Sequence, residues 1–182
     1  MADAARHIPR MTAEEYLRVE SQSTCRHEFV DGLVYAMVGA SRRHNTIALD
    51  IRGLLRARLT APCQPYALEV KVQVKTQLTD RFYYPDVAVS CSELDDDAYI
   101  VRQPALIIEV SLESTRDFDR GEKFSSYKLI PSLQEYLLVE QDEPKVNLFR
   151  KRTDWQIESY GVADEIKLEC INVRLPVASF YQ

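Results

Sequence analysis

The sequence predicts an α/β fold built on a mixed β-sheet flanked by helices, and three observations carry that expectation. A strand, a helix and a second strand follow one another between positions 104 and 140, an order that gives a crossover and a parallel strand pair. Asp31-Gly32 between apolar stretches is a two-residue turn signal for an antiparallel hairpin. Between these regions, apolar residues recur at helical spacing from Ser41 to Leu59. The 182 residues are 46% hydrophobic and 28% charged, which suits one domain over 1–182. Positions 1–10 read as a flexible leader.

The elements follow in order. Thr12-Ala13-Glu14-Glu15 is a capping box that opens a helix from Ala13 to about Glu20. His27 to Met37 carries the hairpin, with Glu28 near the middle of its first strand. An exposed cross-strand partner is the plain alternative for Glu28. Ile47, Leu49, Ile51, Leu54, Leu55 and Leu59 form the apolar side of the next helix, and Pro62 ends it. His44 lies in its first turn, where a structural or solvated histidine is the commoner case. Val70, Val72 and Val74 alternate with Lys71, Gln73 and Lys75, the pattern of a half-buried strand with the polar side in water. Phe82 to Val89 reads as the next strand, carrying Asp86, and Ser92 to Asp97 as a solvated acidic loop. Pro104 to Ser111 is an apolar strand. A helix then covers about Phe118 to Leu129, capped near Ser114 with Asp117 in its first turn. Glu135 to Glu140 is the parallel partner strand, 145–150 and 155–160 form a hairpin, and a last strand lies near 166–170. Val177 to Tyr181 is an apolar tail that packs back on the core.

Composition excludes several classes. No apolar run approaches a membrane span, and the N-terminus lacks the apolar core of a signal peptide, so the expected location is the cytoplasm. Cys25, Cys63, Cys91 and Cys170 are scattered without a C-x-x-C pair, which supports neither a zinc ribbon nor a redox motif. They are expected as small core residues of a reduced protein. No nucleophile–base spacing of a serine or cysteine hydrolase is visible. The net charge of −5 does not by itself favour nucleic acid. Its distribution is uneven: 42–81 hold eight basic residues and three acidic, while 82–144 hold fourteen acidic and five basic. A basic segment beside an acidic one suits a phosphate contact next to a metal site. Two solvated faces of opposite sign fit equally.

The chemistry centres on two acids. Glu109 interrupts the apolar run from Ala105 to Val110, and a lone carboxylate in a buried strand is costly unless paired, protonated or bound to a cation. Asp86 follows Pro85 at the head of Val87-Ala88-Val89. Asp86 and Glu109 could give two oxygens to Mg²⁺ and the Val110 carbonyl a third, as phosphodiester hydrolysis requires. Lys123, four residues before Tyr127 on one helix face, could orient the attacking water or neutralise the phosphate, and Glu28 could add an oxygen. A buried Glu109–Lys123 salt bridge serving structure alone is the alternative.

Several stretches resemble the Uma family of endonucleases: 11–17 (Met-Thr-Ala-Glu-Glu-Tyr-Leu), 27–32 (His-Glu-Phe-Val-Asp-Gly), His44, Tyr84-Pro85-Asp86-Val87, Ile108-Glu109-Val110-Ser111 with Ser114, Thr115 and Asp119, Lys123 with Tyr127, 131–136 and 175–180. That family is similar to PD-(D/E)xK nucleases of the restriction-endonuclease-like fold. The resemblance implies a mixed sheet flanked by helices, with additional N- and C-terminal β-hairpins. It implies a Mg²⁺- or Mn²⁺-dependent endonuclease acting on DNA as a homodimer, with Asp86 and Glu109 as metal ligands and Glu28 as an accessory acid. The motif lysine should stand two residues after Glu109, where this chain has Ser111; Lys123 looks like its migrated replacement. The competing reading is a catalytically degenerate module on the same fold that binds nucleic acid or assembles with itself.

Overall fold

The computed structural model describes residues 10–37, 39–67, 69–77, 80–111 and 119–182, with backbone alone at 119 and 120. The leader at 1–9 and the expected helix cap at Ser114 with Asp117 lie outside the described residues.

Helix α1 (Ala13–Glu20) starts at the expected capping box. The Thr12 amide donates to Glu15 Oε2 at 2.8 Å and the Glu15 amide to Thr12 Oγ1 at 3.1 Å. Its Tyr16 stacks on Phe29, 4.9 Å between centroids, and tilts over Phe82 at 5.4 Å. Strands β1 (His27–Val30) and β2 (Leu33–Ala36) pair across Asp31 and Gly32. Both turn residues have positive φ, 50° and 87°, the conformation that a tight two-residue hairpin requires and that Asp-Gly accepts at little cost.

Ser41 caps α2 (Arg42–Arg56), which buries His44, Ile47, Ala48, Ile51 and Leu55 on one stripe. Leu49, expected on that stripe, is exposed because its position falls on the opposite side of the helix. Strands β3 (Gln64–Ala67), β4 (Lys71–Lys75), β5 (Asp80–Tyr83), β6 (Val87–Ser90), β7 (Ile100–Val101) and β8 (Pro104–Ser111) follow. A π-helical turn (Asp119–Lys123) runs into the single-turn helix α3 (Phe124–Tyr127). Strands β9 (Glu135–Glu140), β10 (Lys145–Arg150), β11 (Ile157–Gly161), β12 (Glu165–Leu168) and β13 (Val173–Pro176) complete the chain.

Three sheets result: β2-β1-β5-β4-β7, β11-β10-β9-β8-β6-β3, and the pair β12-β13. Strands β8 and β9 are parallel, as the strand–helix–strand order predicts. The six-stranded sheet is covered on both faces, which accounts for the unbroken apolar run of β8. Val87, Val89, Leu106, Ile108 and Val110 pack with α2, β12, β13 and the buried tail residues Val177 and Phe180. Ala88, Ile107, Tyr136 and Leu138 face the other way, onto Val72, Val74, Tyr83, Phe124 and Tyr127.

Four expectations are corrected. The stretch 82–89 is two strands in different sheets, because Pro85 has no N–H for the ladder and the chain turns at Tyr84-Pro85-Asp86. Strand β4 is not half-solvated: Lys71 and Gln73 are buried. Their side of the strand is covered by Tyr84, Asp80 and Arg102, which bond them. The C-terminal strand is a hairpin of two. Cys63 and Cys91, expected as separate core thiols, form a disulfide. They are the next cross-strand positions beyond the Gln64–Ser90 pair of β3 and β6, so the register sets them opposite one another.

Candidate active site

The turn at Tyr84-Pro85-Asp86 sits where the two large sheets meet, and the register of β6 on β8 brings Asp86 beside Glu109. Val87 pairs with Ile108, so the residue before Val87 and the residue after Ile108 are neighbours. The Val110 amide donates to Asp86 Oδ2 at 2.7 Å, and the Asp86 amide makes a long contact of 3.4 Å to Glu109 Oε2. His44, in the first turn of α2, reaches the same Asp86 Oδ2 through Nε2 at 3.2 Å. Asp86 Oδ1 accepts no hydrogen bond among the described residues.

Glu109 is 4% exposed and is held from the other side by α3. Tyr127 donates its hydroxyl to Glu109 Oε1 at 3.0 Å, and Lys123 Nζ lies 3.1 Å from the same oxygen. Lys123 Nζ is also 2.9 Å from Glu28 Oε1. Glu28 comes from β1, and the Tyr84 amide donates to it at 3.2 Å. Lys123 closes the π-helical turn and Tyr127 ends α3; four residues apart, they share the face turned to the sheet. A π-turn at this point is a common local device for aiming side chains at a site.

Asp86, Glu109, Glu28 and Lys123 therefore form one connected cluster, joined by direct contacts and by the Val110 and Tyr84 amides. Among the described residues it contains three carboxylates and one lysine. Burial pushes the Tyr127 hydroxyl well above its ordinary range, and the Glu109 and Glu28 charges push it further. It remains a proton donor to Glu109. Tyr83 is shifted up the same way by burial, and its hydroxyl donates to Ser126 Oγ at 2.9 Å. Among the described residues no three His, Cys, Asp or Glu side chains stand together as a ready ligand set.

The match to a family model described as "Putative restriction endonuclease", Uma2, runs over residues 13–178. The chain belongs to the Uma2 family. Two relatives are uncharacterized proteins of Synechocystis sp., each 33% identical: one over 179 residues, 96% of this chain and 93% of its own length, the other over 150 residues, 80% and 84%. A crystal structure from Anabaena variabilis, described as a "putative nuclease" belonging to DUF820, superposes with a TM-score of 0.75 at 15% identity. It covers 94% of this chain and 97% of its own. That likeness establishes the restriction-endonuclease-like fold. No helix among the described residues is long and apolar enough to cross a membrane.

Two Uma2 residues gain weight from the geometry. His44 reads from its helix position as an ordinary helical histidine, yet it is buried against Asp86; its place among the Uma-like stretches is the available signal. Tyr84 stands out in sequence only as part of a motif, but its amide holds Glu28 and its ring lines a separate cavity.

Proposed function

We propose that the protein is a divalent-metal-dependent endonuclease that hydrolyses phosphodiester bonds in DNA. The observation that carries this reading is the buried Glu28–Lys123–Glu109 ion-pair chain set against the Asp86 carboxylate. The oxygen-only donor set, with a carboxylate excess, fits Mg²⁺ or Mn²⁺, which are held by few carboxylates and complete their shells with water and phosphate. Asp86, Glu109 and the Val110 carbonyl would hold the ion; Asp86 Oδ1, without a hydrogen bond among the described residues, is the donor oxygen in best supply. When bound, such an ion polarises the phosphate and makes water a stronger nucleophile.

The protein groups have separable tasks. His44 and the Val110 amide fix the Asp86 carboxylate through Oδ2, leaving Oδ1 to a ligand. Tyr127 and Lys123 hold Glu109 through Oε1, and Oε2 faces the Asp86 amide. Lys123, held between two carboxylates, would neutralise charge on a phosphate oxygen or orient the attacking water. Glu28 anchors Lys123 as an accessory acid. We take the working assembly to be a homodimer, which would bring two such sites to the two strands of a duplex; sedimentation equilibrium tests that.

The deciding experiment is nicking of supercoiled DNA with Mg²⁺ or Mn²⁺, wild type beside Asp86→Asn. Metal-dependent nicking lost in the variant supports the proposal. Equal background in both proteins across metals and substrates overturns it in favour of a degenerate binding module.

A further inference from the structure

A cavity of about 680 Å³ lies beside the proposed site, on the other side of Tyr84. The end of α1, the 21–26 segment, β4 and the 97–100 segment enclose it. Its volume is that of a small-molecule site. Lys71 points into it from β4 and is 9% exposed. The only bond of its ammonium among the described residues is 3.2 Å to the Tyr84 hydroxyl, with the ring centroid at 5.2 Å.

Of the acids that line the cavity, Glu69 is exposed, while Glu20 and Asp97 are engaged elsewhere. Both Glu20 oxygens are taken, by the His27 amide and Nδ1 and by the Tyr84 hydroxyl. Asp97 turns to the Tyr99 and Ile100 amides and to Arg102. Burial holds the Lys71 ammonium below its usual range, and the fields of Glu20 and Asp97 only partly oppose that. Among the described residues this buried cation has one direct, neutral partner and no ion pair within contact distance. An anion entering the cavity would supply one.

Two further features narrow the ligand. Tyr99 is 71% exposed at the rim, an aromatic face open to stacking. Tyr84 joins the cavity to the proposed site, since its ring lines the one and its amide bonds Glu28 in the other. It precedes Asp86 by two residues, at most about 7 Å of extended chain, a separation on the scale of one nucleotide.

We propose that this cavity receives one unpaired nucleotide of a single-stranded or frayed DNA, adjoining the cleaved bond, with Lys71 donating to its phosphate and Tyr99 stacking on its base. This rests on the nuclease reading for what happens next door, but binding itself can be tested without cleavage. Anisotropy of a labelled oligothymidylate is measured in EDTA over a range of salt concentrations, for wild type, Lys71→Gln and Tyr99→Ala. Lys71→Gln is expected to weaken binding about tenfold and to lower the log–log salt slope by about 0.7, the share of one phosphate contact on a single strand. Tyr99→Ala is expected to weaken binding several-fold with the slope unchanged. The surface position of Tyr99 makes it a control should Lys71→Gln fold poorly.

Unchanged affinity and slope in Lys71→Gln would overturn the subsite, and the nuclease reading would survive if Asp86→Asn still abolishes nicking. Lysine-dependent binding by a protein that never nicks DNA would support the subsite and remove the nuclease. Equal losses on single strand and blunt duplex would overturn the preference for an unpaired nucleotide.

Discussion

Replacing Lys123 with methionine tests whether the buried cluster is electrostatically coupled. Lys123 Nζ lies 2.9 Å from Glu28 and 3.1 Å from Glu109, and all three side chains are at most 10% exposed. Removing the ammonium deletes both attractions and leaves two carboxylates across the vacated position, about 6 Å apart at most. At an effective dielectric of about 20, charges at that distance repel by roughly 3 kcal/mol. Breaking a buried pair by removing one partner typically costs about 3–5 kcal/mol. Lys123→Met is therefore expected to lose about 4 kcal/mol at neutral pH without metal, a fall in Tm on the order of 10 °C for a chain of this size. The sharper test is a sign. Glu28→Gln in the wild type loses an ion pair and destabilises by about 1–2 kcal/mol. In the Lys123→Met background it removes that pairwise repulsion and should stabilise. Urea unfolding of the four proteins in EDTA closes this double-mutant cycle. Excess Mg²⁺ should then rescue Lys123→Met more than wild type, because a bound cation replaces the missing charge. If Glu28→Gln destabilises both backgrounds equally, the charges are not coupled and the reasoning fails.

Tyr127→Phe removes one donor from Glu109 Oε1; it is expected to cost about 1–3 kcal/mol and to slow nicking, measured on supercoiled DNA beside urea melts of the variant. Glu135→Ala strips the acceptor from Arg150 Nε at 2.8 Å and from the Glu169 and Cys170 amides at 3.1 Å each. Arg150 is also bonded to Glu158 and the Lys167 carbonyl and is 4% exposed, so a loss of about 3–5 kcal/mol is expected by chemical denaturation. Asp97 is held below the ordinary carboxylate range chiefly by the Tyr99 amide, with burial opposing and Arg102 helping. Its folded value lies below the unfolded one of about 3.9, so its contribution is present above that pH and lost as pH falls through the folded value. Asp97→Asn should therefore melt below wild type at neutral pH, with the gap closing on acidification.

Local chemistry made some elements legible and left others hidden. The capping box and the Asp31-Gly32 turn are satisfied within a few residues, so α1 and the β1–β2 hairpin could be read directly. Glu109 announced itself because a carboxylate inside a strand covered on both faces has few plain explanations. The alternation of β4 misled, because it assumes water on one face. Whether Lys71 and Gln73 are solvated depends on Tyr84, Asp80 and Arg102, two of which lie within 14 residues but all of which arrive through tertiary folding. The disulfide follows from the β3–β6 register, a long-range fact that cysteine spacing does not encode. Lys123 could be singled out because it shares a helix face with Tyr127 and stands in the Uma-like motif; that both converge on one Glu109 oxygen is tertiary information.

The interior charges argue about function from the side of stability. A hydrophobic replacement of a buried ion pair is often neutral or stabilising, so folding alone gives no reason to keep Glu28, Glu109 and Lys123 at the junction of the two sheets. Lys71 makes the point more strongly, since it is buried with one neutral partner and no ion pair among the described residues. Both groups meet at Tyr84, whose amide serves Glu28 and whose hydroxyl serves Lys71 and Glu20. If Lys71 were structural, exchanging it for methionine should leave stability and DNA binding together unchanged or lower both. If it is kept for a ligand, the exchange should raise Tm in the free protein, because an uncompensated buried charge is gone, while DNA affinity falls. Opposite movements of those two readouts separate a functional charge from a structural one.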